Sequence, residues 1–191
     1  MDLALAELIE RTQAGDQAAF GLLFDRYKNL VYRTAYLILG DPDEADEALQ
    51  EVFLKVYRSL SSYQPAKGAF TTWLYRITTN DCLNRLRRRK RERLVPLDLA
   101  HDDNPLASLP QDGSLEVDQD LHMALGRLSD KLRVVIVLRY YGKLSYAEIA
   151  ESLSIPIGTV KSRLNLGLRT LRRELEEHTS ESSAEEDEVP S

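Results

Sequence analysis

The chain has 191 residues, 43% of them apolar and 29% charged, with a net charge of −6; this suits one or two small globular domains. It holds no run of about 18 apolar residues to span a membrane, and Met1-Asp2-Leu3-Ala4-Leu5-Ala6-Glu7 lacks the basic and apolar regions of a signal peptide. One cysteine, Cys82, and three scattered histidines, His101, His122 and His178, exclude an internal disulfide and a thiolate- or histidine-rich metal site, so the expected compartment is the cytosol and no cofactor is expected.

Residues 1–93 read as helices with short breaks. Phe20, Leu23, Phe24, Tyr27, Val31, Ala35 and Ile38 have the spacing of one buried helical face. Gly40-Asp41-Pro42-Asp43 stops that helix and starts another, with Asp41 or Asp43 able to cap it. The next stripe is Ala48, Leu49, Val52, Phe53, Val56, Tyr57 and Leu60. Ser61 to Gly68, with Pro65, reads as a loop. A third helix is predicted from about Phe70 to Lys90, with Trp73, Leu74 and Ile77 turned inward. No useful stretch alternates with period two, so the fold class is all-α. Residues 94–117 contain Pro96, Pro105 and Pro110 among many acids and read as a flexible acidic linker without a core of its own. A second small helical domain follows over 118–178. The Ser/Glu-rich end, 179–191, reads as a disordered acidic tail.

The charge is more informative when mapped than when summed. Eight acids and no Lys or Arg lie between Glu174 and Ser191, so residues 1–173 carry +2. Arg85 to Arg93 holds seven basic residues and one acid, Pro156 to Arg173 five basic residues and no acid, and Leu94 to Asp120 seven acids with no Lys or Arg. Two basic patches flank an acidic linker, a distribution suited to a polyanionic partner.

The strongest local signal runs from Leu144 to Leu164. Ser145 and Glu148 form a capping box that starts a helix, with Ile149, Ala150 and Leu153 inward. Ser154-Ile155-Pro156 breaks it. A second helix then places Val160, Leu164, Leu168, Leu171 and Leu175 on one face and Lys161, Ser162, Asn165, Arg169 and Arg172 on the other, with Arg163 nearby. Short helix, tight turn and longer helix with a basic face make a helix-turn-helix. Its Arg and Lys can pair with guanine edges or phosphates, and Asn165 can read adenine. The bland reading, a helical hairpin with a solvated basic face, leaves the coincidence of capping box, proline turn and unbroken positive charge unexplained.

A second constellation, Phe70-Thr71-Thr72-Trp73-Leu74-Tyr75-Arg76-Ile77-Thr78-Thr79-Asn80, leads into the Arg85–Arg93 block. Aromatic and hydrogen-bonding groups beside a basic run suit single-stranded DNA. Trp73 itself lies on the buried stripe and is assigned to the core. The arginines are assigned to a polyanion, because so dense a run of like charge repels itself.

With these motifs placed, the sequence closely resembles the extracytoplasmic-function sigma factors of the sigma-70 family. The resemblance rests on Gly15-Asp16-Gln17-Ala18-Ala19-Phe20, Gln50-Glu51-Val52-Phe53, Phe70-Thr71-Thr72-Trp73-Leu74-Tyr75-Arg76-Ile77, Leu144-Ser145-Tyr146 with Glu148-Ile149-Ala150, and Gly158-Thr159-Val160-Lys161-Ser162-Arg163. It implies that residues 1–93 form sigma region 2 and 118–178 sigma region 4. The first would grip the clamp helices of the largest subunit of core RNA polymerase through Asp46, Glu47, Gln50 and Glu51. It would also melt the minus-ten promoter element and hold one strand with Lys67, Phe70, Thr72, Arg76, Asn80, Arg85, Arg87, Arg88 and Arg89, Asn80 falling where the family lines a base pocket. The second would read the minus-thirty-five element as duplex with Ser145, Tyr146, Thr159, Lys161, Ser162, Arg163, Asn165 and Arg169, and meet the flap of the second-largest subunit. The resemblance further implies control by an anti-sigma factor and no membrane insertion.

Two features depart from the family pattern. Leu166 stands where many relatives carry a polar or basic residue, and the acidic tail is longer than the minimal pattern. The tail reads as a solubilising end, with masking of the basic faces by DNA mimicry as the alternative. A linker of about 25 residues averages roughly 25–30 Å when random and reaches roughly 85 Å extended. Two DNA sites two turns apart are separated by roughly 70 Å, so a large partner must hold the linker out. The rival reading of a helix-turn-helix regulator of the response-regulator type requires a strand-containing partner domain, which residues 1–93 do not suggest. An enzyme is not expected, for there is no phosphate-binding glycine loop, HExxH or Cys/His set.

Overall fold

The computed structural model describes residues 4–94 and 119–185. The acidic linker from residue 95 and the end of the acidic tail from residue 186 lie outside the described residues. The chain divides into two compact units, Met1–Asp103 and Asn104–Ser191. Among the described residues there is no strand, and no helix is long and apolar enough to cross a membrane.

Unit 1 consists of α1 (Leu5–Gln13), α2 (Gln17–Leu39), α3 (Pro42–Ser59) and α4 (Phe70–Leu94), with single 3-10 turns at Leu60–Ser62 and Pro65–Lys67. The ends of α2 and the start of α3 have local causes. The Asp16 carboxylate accepts hydrogen bonds from the N–H groups of Ala18 (2.9 Å) and Ala19 (3.1 Å) and so opens α2. An Arg11 guanidinium at 2.7 Å holds that carboxyl below its ordinary pKa. Gly40 closes α2 in the left-handed region at φ 77°, where a side chain would be strained. Asp41, rather than Asp43, caps α3 by accepting from the Glu44 N–H at 2.8 Å, with Pro42 in the first turn.

The core of unit 1 gathers the periodic apolar residues: Leu23 and Val31 of α2, Val52 and Val56 of α3, Leu74 of α4, and Leu60. Each is essentially inaccessible, and such burial stabilises the fold by about 1.5–3 kcal/mol per side chain before the entropy of ordering is counted. Phe70 sits among Tyr27, Tyr63 and Trp73 with ring centroids 5.1, 5.4 and 5.6 Å away. That cluster anchors the start of α4. Leu74, Tyr75, Thr78, Thr79, Cys82 and Leu86 then bury one face of α4 as far as the arginine block. The Thr78 and Thr79 hydroxyls donate back to the carbonyls of Leu74 and Tyr75, which lets polar residues occupy buried positions. Cys82 is fully buried, and burial pushes its thiol far above the ordinary range.

Unit 2 contains α5 (Gln119–Arg127), α6 (Asp130–Ile136) continued by a π turn at Val137–Tyr141, α7 (Tyr146–Leu153) and α8 (Ile157–Glu185). Arg133 to Leu138 are all buried, the pattern of a helix surrounded by neighbours. Arg133 is tolerated there because its Nη2 donates to the carbonyls of Gly126 (3.0 Å) and Leu128 (3.1 Å) at the end of α5. The capping box forms as expected: the Ser145 N–H donates to the Glu148 carboxylate at 2.8 Å, and the Glu148 N–H donates to Ser145 Oγ at 3.3 Å. Ser154 ends α7 at φ 52°, and the following Ile155 N–H reaches back to the Ala150 carbonyl at 3.0 Å.

Two expected features of α8 are corrected. Its inward stripe is Val160, Leu164 and then Gly167, whereas Leu168 is 36% exposed. A Cβ on Gly167 would lie 3.1 Å from Ile136 Cγ1, so the absence of a side chain is what lets α8 approach α6. The helix also continues to Glu185, past Thr179, where the sequence suggested disorder.

Candidate nucleic-acid interface

In unit 2 the α7–α8 pair presents Lys161, Ser162, Asn165 and Arg169 to solvent on the side of α8 opposite Val160 and Leu164. Positions i, i+1, i+4 and i+8 share one helical face. Thr159 and Arg163 are half-buried at its edges, and Ser145 and Tyr146 are exposed at the start of α7. Sequence reading missed Arg139, whose guanidinium carbon lies 5.1 Å from the Tyr146 ring centroid and whose Nη1 donates to the Leu144 carbonyl at 2.9 Å. That stack fixes both a cation and an aromatic ring beside the helix-turn-helix. Its only sequence signal was a basic residue seven positions before Tyr146, across a turn whose path was not legible.

In unit 1, α4 carries Arg76, Asn80 and Arg87 exposed along one side, with Lys67 exposed in the turn before it and Thr72 half-buried. Phe70 belongs elsewhere. At 3% exposure inside the aromatic cluster its ring has no free face for a base, so its placement among the strand-holding residues is corrected to a supporting one.

The arginine block is also divided. Arg85 donates through Nε to Asp81 at 2.7 Å and through Nη1 to Glu47 of α3 at 2.9 Å, and Arg89 pairs with Glu44 of α3. Asp81, only 6% exposed, is bound at the same time by Lys55. Arg88 pairs with Glu92 at 2.9 Å, and Arg87 with Asn84 at 3.0 Å. Much of the repulsion that the run of arginines suggested is therefore met by carboxylates of the same unit. Arg85 and Arg89 serve the α3–α4 contact in this state. Lys90 and Arg91 are exposed without an ion-pair partner among the described residues.

The outer face of α3 exposes Asp46, Glu47, Gln50 and Glu51. Beside them, Leu54 and Tyr57 are each 47% exposed, which corrects the inward assignment of Tyr57. Together with Phe20, Phe24 and Phe53 they border a shallow apolar groove of about 580 Å³. Exposed apolar side chains thus lie together beside a polar rim on α3.

Comparison with known proteins accounts for both units. The Sigma-70 region 2 family model matches residues 23–92, and the Sigma-70, region 4 model matches residues 118–171. The chain is 36% identical over 185 residues to the ECF RNA polymerase sigma factor SigW of Bacillus subtilis, covering 92% of this chain and 98% of that one. It belongs to the ECF RNA polymerase sigma factors.

A second relative, the ECF sigma factor SigE of Mycolicibacterium smegmatis, is 39% identical over 176 residues, 88% of this chain and 67% of that one. Among solved structures, the sigma factor RpoE of Bartonella quintana in complex with the anti-sigma factor NepR matches with a TM-score of 0.67 and 26% identity, over 82% of this chain and 96% of that one. This sigma factor therefore acts with RNA polymerase in transcription initiation, and its two units are sigma regions 2 and 4. The region 2 match spans α2 to α4, with the α3 surface and the α4 polar side; the region 4 match contains the helix-turn-helix.

Proposed function

We propose that this sigma factor recruits core RNA polymerase to two-part promoters with a fixed division of labour between its units. Residues 1–93 hold the clamp helices of the polymerase's largest subunit through Asp46, Glu47, Gln50 and Glu51 of α3, with Leu54 and Tyr57 as the apolar centre of that contact. The same unit melts the minus-ten element. Asn80 receives an unstacked base, Arg76, Thr72 and Lys67 hold its strand, and Arg87 and Arg88 take phosphates. Arg85 and Arg89 place α4 against α3 and join the phosphate contacts only when their α3 carboxylates are engaged elsewhere.

Residues 118–178 read the minus-thirty-five element as duplex. Lys161, Ser162 and Asn165 face base edges, while Ser145, Tyr146, Thr159, Arg163 and Arg169 position the helix on the backbone. The exposed Leu168, with the half-buried Leu171 and Leu175, is offered to the flap of the second-largest subunit. The chain works in the cytoplasm by binding rather than by catalysis. An anti-sigma factor holds it inactive, a reading supported by its likeness to RpoE, whose structure contains NepR.

One observation carries this reading: both units of a single chain present a polar, cationic helical side that their own cores leave exposed, around Arg76–Asn80 in one and Lys161–Asn165 in the other. The test is transcription in vitro with purified core polymerase on a promoter library, with and without the full chain. Discrete transcripts that depend on the chain, weakened at least ten-fold by Asn80→Ala and by Lys161→Ala, are the expected result. Duplex binding with neither core binding nor transcription overturns it and leaves a regulator with a helix-turn-helix.

A further inference from the structure

The turn between the π turn and α7 contains a mismatch between residue type and backbone shape. Gly142 sits at φ −73° and ψ −15°, a conformation open to every residue, whereas the next residue, Lys143, is held at φ 56°. The left-handed region favours glycine because a Cβ there crowds its own backbone. The glycine thus lies one position away from where the turn needs it, and a lysine takes the strained place.

The strain is imposed by contacts on both sides. The Gly142 N–H donates to the Val137 carbonyl at 2.9 Å, the Leu144 N–H to the Leu138 carbonyl at 3.1 Å, and Arg139 Nη1 to the Leu144 carbonyl at 2.9 Å. Leu144 is buried while Lys143 is exposed, with no ion-pair partner among the described residues. Strain held by surrounding contacts and localised on one exposed charged side chain points to a use for that charge.

The neighbourhood indicates which use. Lys143 lies two residues before Ser145, the cap of α7, and Arg139 is stacked on Tyr146, the first residue of α7. The turn that leads into the positive end of α7 thus carries two cationic residues, Arg139 and Lys143. The nearest carboxylate along the chain, that of Glu148, is occupied in the capping box by the Ser145 N–H and hydroxyl. When the second helix of a helix-turn-helix enters the major groove, the first crosses the phosphate backbone. The turn leading into α7 then lies against that backbone.

We infer that Lys143 is a phosphate-binding residue of the minus-thirty-five contact, kept in a left-handed conformation because that turn delivers its ammonium to the duplex backbone. The inference rests on the sigma-factor reading. It assigns Lys143 a contact with phosphate and none with base edges, so its contribution is electrostatic, salt-dependent and indifferent to promoter sequence.

The informative variant is Lys143→Gly, because glycine removes the charge and the strain together and so does not unfold the turn. Holoenzyme assembled from core polymerase and the full chain is titrated on promoters it transcribes, across a range of salt. The variant is expected to bind about three- to ten-fold more weakly at physiological salt, with the slope of log K against log salt smaller by about one. The loss should be equal on promoters with different minus-thirty-five sequences, and Lys143→Arg should restore binding. The thermal midpoint of Lys143→Gly should equal or exceed that of the parent chain. Unchanged affinity and salt slope overturn the inference, and so does a loss confined to certain minus-thirty-five sequences. Failure of the parent holoenzyme to form any promoter complex overturns the underlying sigma reading, and is distinguishable because it precedes any substitution.

Discussion

The register of α8 against α6 provides the most discriminating stability test. Leu164 is 3% exposed and Leu168 36% exposed. Leu→Ala removes three carbon groups at about 0.8 kcal/mol each, and at Leu164 a residual cavity adds to that loss, giving about 3 kcal/mol. At Leu168 the removed atoms are partly solvated, no closed cavity forms and alanine is the better helix former, so about 1 kcal/mol is expected. Gly167 decides the matter by sign. On an open helix surface Gly→Leu gains up to about 1 kcal/mol. Here the first added carbon would meet Ile136 Cγ1 at 3.1 Å and Cδ1 at 3.3 Å, and overpacking reverses the effect to a loss of about 1–3 kcal/mol. Urea unfolding followed by far-UV circular dichroism measures all three variants. Fluorescence of Trp73, the only tryptophan, reports unit 1 separately. A stabilising Gly167→Leu, or a Leu168→Ala loss equal to that of Leu164→Ala, would refute the packing described for α8.

Two further outcomes follow from the charged groups. Asp81→Ala removes a carboxylate that is 7% exposed and leaves Lys55 and Arg85 facing each other; because Lys55 is 45% exposed, the loss is discounted to about 1–3 kcal/mol. Glu47→Ala, at a 71% exposed partner, should change stability by less than about 0.5 kcal/mol, and equal effects in urea titrations would contradict the arrangement. Glu174 is hydrogen-bonded by Arg173 at 3.0 Å and Arg127 at 3.2 Å, which together hold its carboxyl below the ordinary value of 4.5. A depressed folded pKa contributes stability above that ordinary value and loses it as pH falls through the folded one. Glu174→Gln should therefore flatten the acid side of the stability profile of unit 2 and leave its shape above neutrality unchanged; a change confined to alkaline pH would contradict the pairing.

Signals spanning three or four residues proved legible in the chain alone. Ser145 and Glu148 sit one helical turn apart, so the capping box needs no other part of the protein to form. Pro42, Gly40 and Pro156 act through their own backbone restrictions. The stripes of α2 and α3 were likewise readable, because period 3.6 projects sequence directly onto a helix face. Their outer limits were not. Tyr57 of the α3 stripe is half-exposed, and Leu168 yields its inward place to Gly167, since the width of a buried face depends on what packs against it.

Residues brought together from distant parts of the chain were decided by tertiary structure alone. Glu44 and Arg89 are 45 positions apart, and Glu47 and Arg85 are 38 apart; the sequence showed the arginine run without showing that these two α3 carboxylates neutralise part of it. Phe70 was assigned from the sequence to the strand-holding residues, and only Tyr27, Tyr63 and Trp73 around it place it in the core instead. Lys143 carries no sequence mark of its left-handed backbone, because hydrogen bonds to Val137 and Leu138 impose it from the preceding π turn. Helix boundaries and faces follow from local backbone chemistry. Which charges stay free for a partner, and which are spent inside the molecule, depends on packing between helices that no local pattern encodes.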